Sequence, residues 1–378
     1  MREVYINRIE KFLPNRPVTN DEMEDYLGKI NGIKSKARAL ILRNNGIKTR
    51  YYALKKDGTS THNNAEITLN AIRKLFDKQF TDNDIELLSL GTSSPDQMIP
   101  AHAQMVQGLM KNRTLEAISP VGTCNSGILA LKYAYLSLKS GEVKNAVAGG
   151  SEKLSSWMRA NNFKDESEKL MALKNSPYIA FDRDFLRWML SDGAGVALLQ
   201  DKPNSDNISL HIDWIDIISY SNELGTCMYA GGIPDGNGQL IPWRDLSKED
   251  IKRHSAMALA QDVRLLSENI IEYGAKALKR VVEKYNFSTK DLDYFLPHMS
   301  SEFFRKKISE ETQKVGCPID EAIWFTNLTK LGNVGAASAF LMLEELFHSG
   351  KLKKGEKILI MNPESARFSY AYVMLTVV

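Results

Sequence analysis

The sequence is poor in cysteine, in long apolar runs and in clustered charge, and each shortage excludes something. Only three cysteines occur, Cys124, Cys227 and Cys317, and no two form a CxxC pair. A disulfide framework and a structural zinc site both ask for more. The expected setting is therefore a reducing one, the cytoplasm, with no metal and no cofactor. No stretch approaches the roughly 18 apolar residues of a membrane span. The charged opening MREVYINRIEKFLP also lacks the apolar segment of a secretion signal. The 49 basic and 46 acidic residues leave a net charge of +3 without a basic run, so nucleic-acid binding loses its electrostatic footprint. A modest basic patch facing an acidic carrier protein remains compatible with this balance.

What the chain does have is ordinary globular composition and an internal repeat. Hydrophobic residues make up 43% and charged residues 25%, as in typical folded domains. At 378 residues the chain is long for one core and suits two domains or two fused similar halves. A phrase beginning FTDNDIELLSLGTSSPDQ at Phe80 and continuing in TCNSGILALKYAYLSLKSGEVKNAVAGGSE recurs from Phe287. The second copy reads FSTKDLDYFLPHMSSEFF and then LGNVGAASAFLMLEELFHSGKLKKGEKILIMNPES. Aligning Phe80 with Phe287, and Ser140-Gly141 with Ser349-Gly350, sets Cys124 opposite Asn333 and His298 near Gly91. Self-similarity of this kind decides the fold before local patterns do.

Local patterns agree with it. Asn64–Phe76 has helical apolar spacing, and Ile85–Leu90 reads as a buried strand ending at Gly91. Gly127–Leu138 reads as a helix bounded by Gly141, whereas Ala146–Gly150 and Gly193–Leu199 read as buried strands. The turn-rich Pro203–Asn207 is the best boundary, giving halves at 1–203 and 208–378. His211–Ser219 restarts a strand pattern, Tyr220–Trp243 reads as a glycine-rich loop, and Ser255–Lys284 as one long helix broken near Gly274. Alternating strands and helices predict an α/β fold, five-layered α-β-α-β-α, with two sheets between three helical layers.

Three residues stand where chemistry is expected. Cys124 sits at a strand-to-helix elbow, where the helix dipole and free N–H groups favour thiolate. Gly122, Ser126 and Gly127 leave room for a substrate and for backbone donors facing an oxyanion. A buried, inert cysteine is the plain alternative, and Cys227 and Cys317 are read that way. His298 ends the apolar run Tyr294–Pro297, placed to donate to a carbonyl or to exchange a proton. Asn333 lies among Gly332, Gly335 and Ala336, as either an uncharged donor to substrate or a helix N-cap.

With these residues in view, the chain resembles the thiolase-fold condensing enzymes, most of all the β-ketoacyl-acyl-carrier-protein synthase III branch. The resemblance rests on GTSSPDQMIP at Gly91–Pro100, TCNSGILAL around Cys124, SDGAGVALL at Ser191–Leu199, LPH at Leu296–His298 and GNVGAAS at Gly332–Ser338. LRNNGIKTRYYAL and PESARFSYAY resemble the ketosynthases of dialkylresorcinol, flexirubin-type and aryl-polyene-associated pigment pathways. The resemblance implies that Cys124 is acylated by a thioester, and that His298 and Asn333 bind the second substrate's thioester carbonyl. It implies an oxyanion hole of backbone N–H groups from Cys124 and the Ser365–Ala366 turn. It further implies acyl carrier protein or acyl-coenzyme A substrates and a homodimer, with Ile99 reaching the neighbour's acyl pocket. The insertion from Trp157 to Phe185 and the Tyr220–Trp243 loop would shape the pocket. Trp157, Met158, Trp188, Met189, Met228 and Tyr229 either line an acyl tunnel or are plain core, and Arg367 meets a substrate oxygen or a surface partner.

Departures from the family pattern narrow the expectation. Met299-Ser300-Ser301 follows His298 where glutamine-alanine-asparagine is usual, and Glu364–Phe368 replaces a glycine-rich turn. The coenzyme-A-clasping tryptophan and arginine of the family have no evident counterparts in ALILRNNGIKTR, where Leu40 or Ala39 and Asn44 stand about there. These changes argue against initiation of fatty-acid synthesis with acetyl-coenzyme A. The expected reaction joins a β-ketoacyl thioester to a second acyl thioester, giving a cyclohexanedione precursor of a dialkylresorcinol. The rivals are a decarboxylating synthase III and a non-catalytic dimerisation or chain-length partner. Such partners typically lack the nucleophile, whereas Cys124 is present.

Overall fold

The structure is a computed structural model that describes residues 2–32, 34–35, 38–110, 114–163 and 185–378. Eleven strands matter for the site. They are β1 (Tyr5–Phe12), β2 (Leu87–Gly91), β3 (Glu116–Ile118), β4 (Asn145–Glu152), β5 (Gly193–Gln200), β6 (Leu210–Ser219), β7 (Met228–Tyr229), β8 (Ala260–Gln261), β9 (Tyr294–Pro297), β10 (Lys357–Glu364) and β11 (Ser369–Val377). Six helices pack on them: α1 (Asn64–Ile72), α2 (His102–Met110), α3 (Ser126–Ser140), α4 (Val263–Tyr285), α5 (Arg305–Lys314) and α6 (Ser338–Phe347).

The strand order repeats. One block, read from its outer edge, runs β3-β2-β4-β5-β1 and the other, read likewise, β9-β10-β11-β6, so both place the strands in the same sequence-relative order apart from the edge strand that the second lacks. In each, the inner pairs are parallel (β2 with β4, β9 with β10) and the next two pairs antiparallel. Even the missing fifth position is marked, by a parallel bridge from Trp324 to Phe295 of β9. The two blocks are not fully separate sheets as expected. Tyr5 and Ile6 of β1 pair with His211 and Leu210 of β6, which joins them at one edge into nine continuous strands.

Alternation along the strands feeds three hydrophobic layers. On β10, Ile358 and Ile360 face the middle layer with α3 and α6, while Leu359 and Met361 face α4 and α5. On β5, Ala197 and Leu199 face the middle, while Val196 and Leu198 face α1 and α2. Strands covered on both faces must be apolar at every position, which is why they read as unbroken runs. The result is helices, strands, central helices, strands and helices, a mixed α/β fold of thiolase type.

Two local expectations need correction. The long helix begins at Val263, not Ser255, because Asp262 caps it by accepting the Leu265 N–H (2.8 Å), and β8 pairs with β7 just before it. It is also unbroken at Gly274. The absent side chain lets Tyr370 pack closely there, a Cβ lying only 3.3 Å from its ring, and Tyr372 Oη donates to the Gly274 carbonyl (2.8 Å). The Tyr220–Trp243 segment is not a bare loop either, since it contains β7 and a small hairpin of Gly232–Pro234 with Leu240–Pro242.

Candidate active site

Cys124 and Asn333 occupy corresponding turns, one leading into α3 and the other towards α6 through a 3-10 turn at Gly335–Ala337. Glycine lets these turns touch. A Cβ on Gly127 would lie 2.2 Å from the Ala336 carbonyl oxygen, and one on Gly150 only 2.0 Å from it, distances that no side chain tolerates. Cys124, His298 and Asn333 thereby line one cavity of about 950 Å³, including its open mouth. A few polar groups converging among apolar walls are characteristic of small-molecule sites.

Each polar group in the cavity is held differently. Asn333 Oδ1 accepts the Gly335 N–H (2.9 Å), which fixes the amide and leaves its NH2 group to donate into the cavity. Its backbone is pinned on both sides, the N–H donating to Met189 O and the carbonyl accepting from the Ser191 N–H (2.9 Å each). His298 ends β9, where its N–H donates to Met361 O (2.8 Å). No described residue hydrogen-bonds the imidazole. Burial lowers its pKa to about 4, so the ring is neutral at physiological pH.

The turn at Cys124 holds a group that the sequence reading noted without assigning it work. Glu364, at the end of β10, reaches across to accept the N–H groups of Thr123 (2.8 Å) and Asn125 (3.0 Å). These flank Cys124, whose own N–H donates to no other described residue. Asn362 supports the turn by donating to the Cys124 carbonyl (2.9 Å). Glu152, at the end of β4, makes the reciprocal reach. It accepts the Ala336 N–H (3.1 Å), the Ser93 N–H (3.1 Å) and the Ser93 hydroxyl (2.8 Å). Each half thus sends a carboxylate from the end of its corresponding strand to the other half's turn.

The expectation of a thiolate at Cys124 does not hold for the resting site. Burial pushes the thiol pKa up, and the Glu364 and Glu152 carboxylates push it further; its own N–H and the Thr123 hydroxyl pull the other way but less. Cys124 keeps some solvent-reachable surface at the cavity mouth, yet protein packs around it closely enough for desolvation to dominate. The helix dipole is outweighed because Glu364 already neutralises the turn's N–H groups.

The remaining candidates separate. Met228 and Ser365 line the cavity, with Met189 beside them. Ala366 does not; its carbonyl accepts the N–H groups of Cys227 (2.8 Å) and Met228 (3.2 Å). Neither Tyr229 nor the exposed Arg367 lines the cavity. Trp188 and Met158 are buried core. Ile99, 85% exposed, and Trp157 lie in an adjoining surface groove with Met98 and Val121, which shares Ser93 with the cavity. Most of the insertion expected to shape the pocket, 164–184, lies outside the described residues. Among described residues, Glu10, Glu344 and His348 could approach a common metal ion, but none lines the cavity, Glu344 is paired with Lys11 and His348 hydrogen-bonds the Ile9 carbonyl. No helix among them is long and apolar enough to cross a membrane.

Comparison with known proteins points to a family. Residues 62–205 match the family profile of the β-ketoacyl synthase N-terminal domain. Residues 282–371 match that of the 3-oxoacyl-[acyl-carrier-protein] synthase III C-terminal domain. The chain is 25% identical over 351 residues to a β-ketoacyl-[acyl-carrier-protein] synthase III of Clostridium perfringens, covering 93% of this chain and 92% of that one. This is a condensing enzyme of the β-ketoacyl synthase III type. The fold of the condensing enzyme is shared with AbyA1, a tetronic acid condensing enzyme (TM-score 0.74, 18% identity, 99% of both chains). It is also shared with an OleA variant of Xanthomonas campestris solved with lauric acid and lauroyl-CoA (TM-score 0.73, 19% identity, 99% of both chains).

Proposed function

We propose that the enzyme forms a carbon–carbon bond between two acyl thioesters through an acyl-Cys124 intermediate. The observation that carries this is the convergence of Cys124, His298 and Asn333 on one largely apolar cavity. The Cys124 thiol attacks the first thioester and expels the carrier thiol. Because the resting thiol is protonated, a base must take its proton; His298, neutral and lining the same cavity, is read as that base, made weak by its burial, and passes the proton on to the departing carrier thiolate. The Cys124 N–H, with the N–H of Ser365, which lines the cavity, faces the oxyanion. The second thioester then binds with its carbonyl oxygen on the Asn333 NH2 group and beside His298; the C–H bond of its doubly activated α-carbon breaks, the imidazole takes that proton, and the two side chains stabilise the enolate. The α-carbon attacks the acyl carbonyl, the carbon–sulfur bond breaks, and the leaving Cys124 thiolate takes the proton back from His298.

The second substrate is read as a β-ketoacyl thioester on acyl carrier protein or coenzyme A, and the product as a cyclohexanedione precursor of a dialkylresorcinol. Replacement of the glycine-rich turn by Glu364–Phe368 supports a specialised substrate pair. We read residues 1–203 and 208–378 as the two halves, in keeping with the repeated strand order. The exposed apolar side chains of Met98 (60%), Ile99 and Val121 (91%) around one groove support a homodimer. The three free thiols support a cytoplasmic setting. Product mass spectrometry with paired acyl thioesters tests the substrate reading. A cyclic dione supports it, whereas only a linear β-ketoacyl product, with carbon dioxide released, would establish the decarboxylating synthase III reaction instead.

A further inference from the structure

Most hydroxyls lining the catalytic cavity have already spent their hydrogen on the protein. Ser93 Oγ donates to Glu152 (2.8 Å), Thr312 Oγ1 to Ser309 O (2.9 Å) and Tyr370 Oη to Ile270 O (3.0 Å). One pair of side chains has not. Gln261 and Ser365 line the same cavity, and Gln261 Nε2 donates to Ser365 Oγ (2.9 Å). The Ser365 O–H finds no acceptor among described residues, and Gln261 Oε1 is buried without a partner. Ser300 also lines the cavity, but no described residue orients its hydroxyl.

Counting hydrogens decides what the pair can hold. The amide carries two N–H bonds and the hydroxyl one O–H, and the contact between them uses one of these. Turning the amide over would let Oε1 accept the Ser365 O–H, and both N–H bonds would then be unspent. Either way two donors remain, so the group that the pair suits is an acceptor such as a carbonyl oxygen.

Position makes that acceptor part of the acyl substrate. Gln261 is 3% exposed and immediately precedes Asp262, the cap of α4. Met228 stands opposite it on β7, and Leu259 and Leu266 follow the same cavity wall on either side. Apolar surroundings of this kind suit an acyl chain and not a carrier's polar arm, and a donor buried among them is costly until it is met. Ser365 directly follows Glu364, which holds the Cys124 turn, so the pair reaches the cavity next to the reacting thioester.

We propose that the Gln261–Ser365 pair determines specificity by donating a hydrogen bond to the β-keto oxygen of the β-ketoacyl thioester. This rests on the condensing reaction above and names the contact that tells a β-ketoacyl chain from a saturated one. A glycine in that turn would supply a backbone N–H and nothing more; the serine adds a side-chain donor beside it.

The test compares 3-oxooctanoyl-coenzyme A with octanoyl-coenzyme A, which differ only at that carbon. Cys124→Ala removes the nucleophile, so binding can be measured by calorimetry without turnover. Ser365→Ala, which keeps the backbone N–H, and separately Gln261→Met are each added to that parent. The pair predicts that the ratio of the two dissociation constants shifts against the 3-oxo thioester by at least about threefold in each double variant, as loss of one hydrogen bond does. A merely structural role, or a contact to the coenzyme arm, would weaken both thioesters alike and leave the ratio unmoved. A shift smaller than threefold in either folded double variant therefore overturns the proposal, and so does absence of binding of 3-oxooctanoyl-coenzyme A to the parent. Failure of both thioesters to acylate Cys124 in the wild type, read by intact-protein mass, would instead overturn the condensing reading. The binding ratio would then still decide the pair.

Discussion

The turns carrying Cys124 and Asn333 have corresponding positions and opposite electrical designs. At the Cys124 turn, Glu364 takes two N–H groups and sets a negative charge beside the thiol. At the Asn333 turn, the Gly335 N–H fixes an uncharged amide, while Glu152 is occupied with Ala336 and the Ser93 segment. Burial also raises the Glu152 pKa, in spite of those donors. One turn therefore restrains a group that must change its bonding and charge. The other presents a donor whose charge never changes. A single scaffold, used twice, yields a covalent station and an electrostatic station according to one residue at the turn and the carboxylate behind it.

The comparison can be broken from its strongest side first. Cys124→Ala is expected to abolish covalent acylation by any thioester, read by intact-protein mass; an adduct that survives would remove Cys124 from the mechanism. His298→Ala and Asn333→Ala come next. Losing one donor to a developing oxyanion typically costs about 100- to 1,000-fold, and product formation should fall by that order in each variant. Glu364→Gln probes the restraint itself. Removing the charge while keeping an acceptor should lower the thiol pKa, so iodoacetamide should alkylate Cys124 several-fold faster at fixed neutral pH. An unchanged or slower rate would show that burial alone sets the thiol.

The smallest expected effect is an absence. With the His298 pKa held at about 4 by burial, protonation of that ring should not shape the condensation rate between about pH 8 and pH 5.5. The same shift carries a stability consequence. His298 takes up a proton more readily in the unfolded chain, so its contribution favours folding above about pH 6.5 and is lost as pH falls towards about 4. A titration near pH 6.5 in the condensation profile, absent from a His298 variant, would show that the ring is solvated during turnover.

Much of this was legible from the residues. The repeat, the buried strands and the three polar residues at loop ends followed from periodicity and small-residue context, because strands covered on both faces and tight turns constrain sequence strongly. The start of α4 was missed because short helical periodicity upstream of Asp262 is overridden by pairing of β8 with β7. The state of Cys124 is not legible locally, because its position shows the helix end but not Glu364, which arrives from some 240 residues away. A carboxylate at the end of each corresponding strand, Glu152 in AGGSE and Glu364 in NPES, was visible as a signal. Its reach across to the other half was not, since that depends on tertiary contact.

The division of labour between the turns is tested most directly by rapid-quench intact-protein mass spectrometry of Asn333→Ala supplied with both thioesters. The account predicts that acyl-Cys124 forms about as fast as in the wild type and then accumulates, because only the second step is impaired. If acylation and condensation slow together by the same factor, Asn333 is a structural support for the whole site and the division is wrong.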